Sequence, residues 1–167
     1  MIEATNAIKS CAITTGRYQT ERDPAKLFVD ILRTALTQKR IHICDRERGR
    51  KPDNPQWWGY ELNENEGTWH PPAKAEKLGW VDEEGGVLYL IPQATYRAIA
   101  SYVSSTGDHF PADSVRAMGD ALKRSGMLAR TDNEHNAVTV RCEGLATKCW
   151  AIRTDHVIEE APESLTP

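Results

Sequence analysis

The stretch that most constrains this chain runs from Pro111 to Ile152 and reads PADSVRAMGDALKRSGMLARTDNEHNAVTVRCEGLATKCWAI. Asp113 or Ser114 can cap a helix, because a short side-chain oxygen accepts from a free first-turn N–H. Val115, Met118 and Leu122 then share one helical face at i, i+3 and i+7, while Arg116, Lys123 and Arg124 point elsewhere. Gly126 can take the left-handed conformation that stops a helix. Met127 and Leu128 begin a strand, Asn133 to Asn136 make a polar turn, and Ala137 to Arg141 and Lys148 to Ile152 read as strands. That order is the shape of a recognition helix followed by a β-wing. Two readings fit it. One is a winged helix that touches nucleic acid; the other is a small α+β module that uses the same hairpin only as a packing lid.

The rest of the chain supplies a second layer. Asp23 caps a helix whose first position is Pro24, where a missing N–H costs nothing. Leu27, Phe28, Ile31, Leu32, Ala35 and Leu36 form its apolar stripe, which predicts a core helix ending near Gln38. Ile41 to Cys44 is a short β-prone run, Asp45 to Asn54 a polar loop, and Trp57 to Leu62 a second strand. Neighbouring residues on a strand face opposite ways, so at most one of Trp57 and Trp58 should reach the core. Lys77–Val81 and Val87–Ile91 flank the acidic turn Asp82 to Gly86 as a hairpin. The strands between 41 and 91 are expected to form one antiparallel sheet against the first helix. Pro92 opens a helix whose apolar face is Tyr96, Ile99, Ala100 and Val103, and Thr106-Gly107-Asp108 ends it. Residues 1–22 show no period, and the segment from Thr154 onward is acidic and expected to fray.

Charge is segregated. The total is −3, which speaks against a generally basic nucleic-acid protein. Yet Lys39 to Lys51 holds six basic residues against two acidic, and Glu61 to Val87 holds seven acidic against two basic. Phe110 to Arg153 holds seven basic against five acidic. A chain patterned this way can present a basic face despite an acidic total. The expected DNA contacts are Arg46, Arg48, Arg50 and Lys51 in the first basic loop. Arg116, Lys123 and Arg124 on the helix and Arg130, Arg141 and Lys148 around the wing complete the set. Cations near phosphate add a salt-sensitive term rather than base readout, so the binding is expected to be weak. Arginines beside exposed aromatic rings, as near Trp57 and Trp58, also suit a single strand.

Other chemistry finds little support in the sequence. Neither GxxxxGK[ST] nor GxGxxG occurs, so ATP hydrolysis or dinucleotide binding by those routes is not expected. Cys11, Cys44, Cys142 and Cys149 have no close pair and read as buried free thiols. His42 and Cys44 lie two apart on one strand face, but nothing nearby in sequence completes a metal site. Asp82, Glu83 and Glu84 read as a solvated turn rather than an acid–base pair. No cofactor is expected. No run approaches the roughly 20 apolar residues of a membrane helix. With no apolar leader visible in Met1 to Ser10, the cytoplasm is the expected location.

The runs DPAKLFVDILRTALTQKRIHICDRE, WWGYEL and LGWVDEEGGVLYLIPQATYRAIASY carry a further signal, together with ADSVRAMGDALKRSGMLARTD and the closing AVTVRCEGLATKCWAI. Together they resemble the C-terminal winged-helix-like segment of primase–helicase-like ATPases of bacteria, phages and mobile elements. The likeness spans about residues 23 to 153. It rests on Gly79-Trp80-Val81, Leu88-Tyr89-Leu90 with Pro92, and Leu122 to Gly126. The resemblance implies a helper module beside a P-loop ATPase or helicase domain, in cis or in trans, holding DNA near the motor or docking a partner. No catalytic residue carries over, because the ATPase motifs are absent.

The expected organisation is therefore α+β. A lead-in (1–22) precedes a helix-backed antiparallel sheet (23–92). A winged-helix-like module (93–153) and an acidic tail (154–167) follow. The expected function is a non-enzymatic DNA-binding accessory domain of a replication primase–helicase. The alternative is a protein-interaction or oligomerisation domain of the same shape without DNA contact; a small enzyme with an unrecognised site is the third reading.

Overall fold

The computed structural model describes residues 23–159. Helix α1 (Pro24–Thr37) starts as its sequence dictates: the Asp23 carboxylate accepts from the Ala25 N–H at 3.0 Å, with Pro24 in the first turn. Its stripe, including Phe28, Leu32 and Leu36, is buried. Helix α2 (Pro92–Thr106) ends on Gly107, whose φ of 76° is left-handed. Helix α3 (Val115–Arg124) is capped by Ser114, whose hydroxyl accepts from the Ala117 N–H at 3.1 Å. Met118 and Leu122 point into the core, and Arg116, Lys123 and Arg124 face solvent.

The strands are β1 (Ile41–Asp45), β2 (Glu61–Asn63), β3 (Thr68–His70), β4 (Glu76–Asp82), β5 (Val87–Leu90), β6 (Leu128–Arg130), β7 (Val138–Cys142) and β8 (Leu145–Arg153). The main sheet runs β1-β4-β5-β8-β6, with β7 paired to β8. The β4–β5 hairpin matches the expectation. The all-antiparallel sheet does not, because β1 pairs with β4 in parallel. Parallel neighbours need a long crossover, and residues 46–75 provide it.

That crossover also replaces the strand expected over Trp57 to Leu62. Pro55–Trp57 is a single 3-10 turn, and the chain then turns at Gly59 (φ 85°) into the separate β2–β3 ribbon. Trp58 is 1% exposed and Trp57 44%, so one ring faces the core and the other does not. The Trp58 carbonyl accepts from the Ile43 N–H at 3.0 Å, so the crossover closes the outer edge of β1.

Side chains alternate across the sheet, and both faces are buried. Leu78, Val81, Leu88, Leu90, Trp150 and Ile152 pack on the side of α1, α2 and α3. Trp80, Tyr89 and Ala151 face the other way, with Cys44, Val140, Cys142 and Cys149. The second face is covered by the β7–β8 hairpin. Its turn is Glu143-Gly144, with φ of 50° and 80°, the pair of positive values that matches strand twist. The polar segment Asn133 to Asn136 is not the hairpin turn: β6 pairs with β8 rather than β7, and an isolated bridge, Asp132 to His135, marks that loop. The hairpin thus lies on the sheet. This is a mixed α+β fold of three layers, helices, sheet and hairpin.

Strand β8 pairs with β5, Leu88 opposite Ile152 and Leu90 opposite Trp150. Residues on both sides of position 92 therefore share one sheet and one core. The segment after β8 is not frayed as far as Glu159. It forms a short helix, α4 (Thr154–Val157), held by Arg33, whose guanidinium donates to the carbonyls of His156 and Val157 at 3.0 Å each. The expected lead-in, Cys11 and residues 160–167 lie outside the described residues. Among the described residues, no helix is long and apolar enough to cross a membrane.

Candidate functional site

The basic loop after β1 and the acidic turn after β4, far apart in charge along the sequence, meet in space. They line a cavity of about 310 Å³ together with Asp53. Arg46 pairs with Asp82 at 3.3 Å, donates to the Arg141 carbonyl at 3.1 Å and lies over the Tyr89 ring. Arg48 and Lys51 are exposed on the cavity wall, but Asp45, Glu47, Asp82, Glu83 and Glu84 share it. A phosphate there would meet more carboxylates than cations. Arg50 is exposed outside that wall. Arg130 donates to the Tyr89 hydroxyl at 2.7 Å, so it and Arg46 bracket one ring.

The acidic turn is not simply solvated. Glu83 Oε2 accepts from the Asp53 N–H at 2.6 Å. Its Oε1 accepts from the Asn54 N–H, the Asn54 Nδ2 and the Trp58 Nε1 at 3.2, 3.1 and 3.0 Å. This carboxylate shapes the loop and anchors a buried indole. Asp82 takes the Gly85 N–H at 2.8 Å in addition to Arg46.

Glu143, at the hairpin turn, reaches back over the sheet. Its carboxylate accepts from Lys77 Nζ and, at 2.6 Å, from the Trp80 Nε1, while its own N–H donates to the Arg46 carbonyl at 2.9 Å. The hydrogen bond from Lys77, then that from Trp80, holds the Glu143 carboxyl below its ordinary value of 4.5. A carboxylate whose folded pKa is depressed stabilises the fold above its unfolded pKa and loses that contribution as pH falls through the folded one. Stability in acid titrations should therefore fall below about pH 4.5, and Glu143→Gln should flatten that limb. An acid limb identical to wild type would show that the latch contributes nothing.

The three described thiols, Cys44, Cys142 and Cys149, are buried and free. Burial raises the pKa of Cys142 and pushes Cys149 up to about 12, which keeps both protonated and unreactive. Cys44 accepts from the Tyr60 hydroxyl at 3.6 Å, and His42 Nδ1 lies 3.1 Å from the Ala75 carbonyl oxygen. Burial, first of all, lowers the His42 pKa. Among the described residues no group of three or more His, Cys, Asp or Glu is placed to hold a metal ion.

Five of the remaining cations are exposed on α3 and the hairpin. Arg116, Lys123 and Arg124 are exposed on the outer side of α3. Arg141 and Lys148 are exposed on the outer face of the hairpin, where Thr139 pairs with Lys148 and Arg141 with Ala146. None of these five has an ion-pair partner among the described residues. Arg116 and Lys148 border one cleft of about 700 Å³ between the start of α2, α3 and β8. Asp120 and Glu134 also line it, Asp120 engaged by Asn136 Nδ2 at 2.6 Å. Comparison with family models, curated proteins and solved structures finds no match.

Nine of the ten expected DNA contacts fall into three groups, and the tenth, Arg50, is exposed outside the cavity wall. Arg46 and Arg130 serve the Tyr89 ring, and Arg48 and Lys51 stand among carboxylates. Arg116, Lys123, Arg124, Arg141 and Lys148 are exposed on α3 and the hairpin. Sequence reasoning did not find Glu143 or Trp150 and read Glu83 as part of a solvated turn, yet all three shape these surfaces. The one legible signal among them was the Glu143-Gly144 dipeptide, a turn-compatible pair between two β-prone runs.

Proposed function

We propose that this chain is a weak, salt-dependent DNA-binding accessory domain, non-enzymatic and cytoplasmic, working beside a P-loop ATPase or primase–helicase motor of a phage, plasmid or integrated element. The observation that carries this is the set of five exposed cations on α3 and the hairpin, two of them on one cleft. The order β5-α2-α3-β6-β7-β8, with β8 lying between β5 and β6 in the sheet, supports a winged-helix-like reading of that face. In this reading α3 approaches the nucleic acid and the hairpin lies flat, presenting Arg141 and Lys148 from its outer face. A second reading, a protein-interaction surface, draws on Leu145 at the hairpin tip, 72% exposed, and on Leu62 and Trp57, 45% and 44% exposed. Exposed apolar side chains of this kind suit a partner protein better than a phosphate backbone.

Fluorescence anisotropy with labelled duplex, forked and single-stranded DNA over a salt series separates the two readings. Each phosphate contact steepens the log–log salt slope by about 0.7 to 0.9. Arg116→Ala with Lys148→Ala should therefore flatten it by about 1.4 to 1.8 and weaken binding about tenfold or more at low salt. A double variant that binds like wild type removes this face from the DNA reading. Binding to none of the three forms even at low salt leaves the protein-interaction reading.

A further inference from the structure

We infer that the cleft between the start of α2, α3 and β8 takes one unstacked nucleotide of a DNA strand, at a single-stranded stretch or a strand end; this rests on the DNA reading above. At about 700 Å³ the cleft lies within the roughly 300–1,000 Å³ of small-ligand sites. Its two cations, Arg116 and Lys148, have no ion-pair partner among the described residues and can take a phosphate, although the carboxylates of Glu134 and Asp120 line the cleft with them. Its floor is unlike a phosphate site. Trp150 is 2% exposed and lines the cleft, and its indole N–H makes no hydrogen bond within the described residues. Such a donor, open at the cleft floor, is available to a ligand's acceptor.

Gly119 packs directly against that floor. A Cβ added there would lie 3.0 Å from Trp150 Nε1 and 3.0 Å from Asn136 Nδ2. Asn136, which lines the cleft, spends its Nδ2 on Asp120 and keeps its amide oxygen as an acceptor. Gln93, exposed at the start of α2, adds a neutral amide at the wall. An indole N–H open to the cleft, two amides and a pair of cations beside the Glu134 carboxylate match a planar heterocycle with donors and acceptors along its edge and a phosphate near the cations. A base stacked in a duplex cannot enter such a cleft, whereas an unpaired base can be splayed into it. The cleft therefore favours single strands and ends over duplex.

The test uses the whole chain. Deoxynucleoside 5′-monophosphates and inorganic phosphate, matched for ionic strength, compete against labelled single-stranded DNA in anisotropy. The nucleotides should displace the strand at concentrations at least several-fold lower than phosphate does. Gln93→Ala, at an exposed position that leaves the core untouched, and Trp150→Phe, which keeps a ring but deletes the N–H, should each weaken single-strand binding about fivefold. Duplex binding should stay within twofold. Equal displacement by phosphate and nucleotides overturns the assignment, as does equal weakening of both DNA forms. Single-strand binding unaffected by either variant overturns the cleft and leaves the DNA reading standing. If no DNA binds at all, the DNA reading fails by itself, and direct nucleotide titration still decides the cleft. A tryptophan fluorescence change in wild type that is lost in Trp150→Phe supports it, and no change in wild type sinks it.

Discussion

Gly79→Ala should lower the stability of this domain by about 3 kcal/mol or more, read as a shift in the urea midpoint followed by circular dichroism. Gly79 sits in the middle of β4, opposite Leu90 of β5 and Ile43 of β1. A Cβ there would stand 1.9 Å from the Tyr89 carbonyl oxygen and 3.0 Å from the Leu90 Cα. Both are backbone atoms of a paired strand, so relief requires parting β4 from β5 rather than turning a side chain. The parallel pairing of β1 with β4 already shifts register between His42 and Ile43, next to this point, and leaves little slack. Gly67→Ala is the control: nothing lies within 4 Å of its added Cβ, and only its φ of 64° is unfavourable, a penalty of roughly 1–2 kcal/mol. A Gly79→Ala midpoint no lower than that of Gly67→Ala would mean that β4 and β5 do not approach as described.

Glu83→Ala should be the second large loss, about 3 kcal/mol. The substitution strands four N–H donors at once, and one of them belongs to Trp58, which is 1% exposed. A buried donor without a partner loses about 1–3 kcal/mol, and hydrogen bonds to a carboxylate are the stronger kind. The loop donors near Asp53 can recover water, which limits the total. Glu83→Gln should fall between, because its amide nitrogen turns a donor toward another donor. Urea midpoints for the two variants test this, and equal stability of Glu83→Ala and wild type would remove the carboxylate from the loop's support.

Local signals were legible where their physics is local. The Asp23–Pro24 start of α1, the β4–β5 hairpin, and the Ser114 and Gly126 ends of α3 all depend on residues within one turn of each other. The pairing of β1 with β4 does not: its parallel sense is set by where the crossover returns, and Ile41 to Cys44 reads the same in either direction. The hairpin turn was misplaced because Asn133 to Asn136 is richer in turn-forming residues than Glu143-Gly144. Strand pairing selected the latter, since β7 needs a two-residue return to meet β8. For the candidate site, charge runs in the sequence marked which segments carry cations but not which acids they meet. Asp82 and Glu83, some 30 residues downstream, reach the basic loop only through the sheet.

Strand β8 belongs to two layers. Its first half pairs with β7 in the outer hairpin, and its second half pairs with β5 and β6 above the helices. Amide hydrogen exchange should therefore divide along one strand. The N–H groups near Trp150 to Ile152 can open only when the main core opens, because both faces there are packed and both neighbours are paired. The hairpin end, from Arg141 to Thr147, is able to lift as a smaller unit while the three helices stay folded. Lifting it would uncover Tyr89, Trp80 and the buried thiols together. Thiol labelling and slow exchange at the hairpin would then share one opening rate, distinct from that of global unfolding.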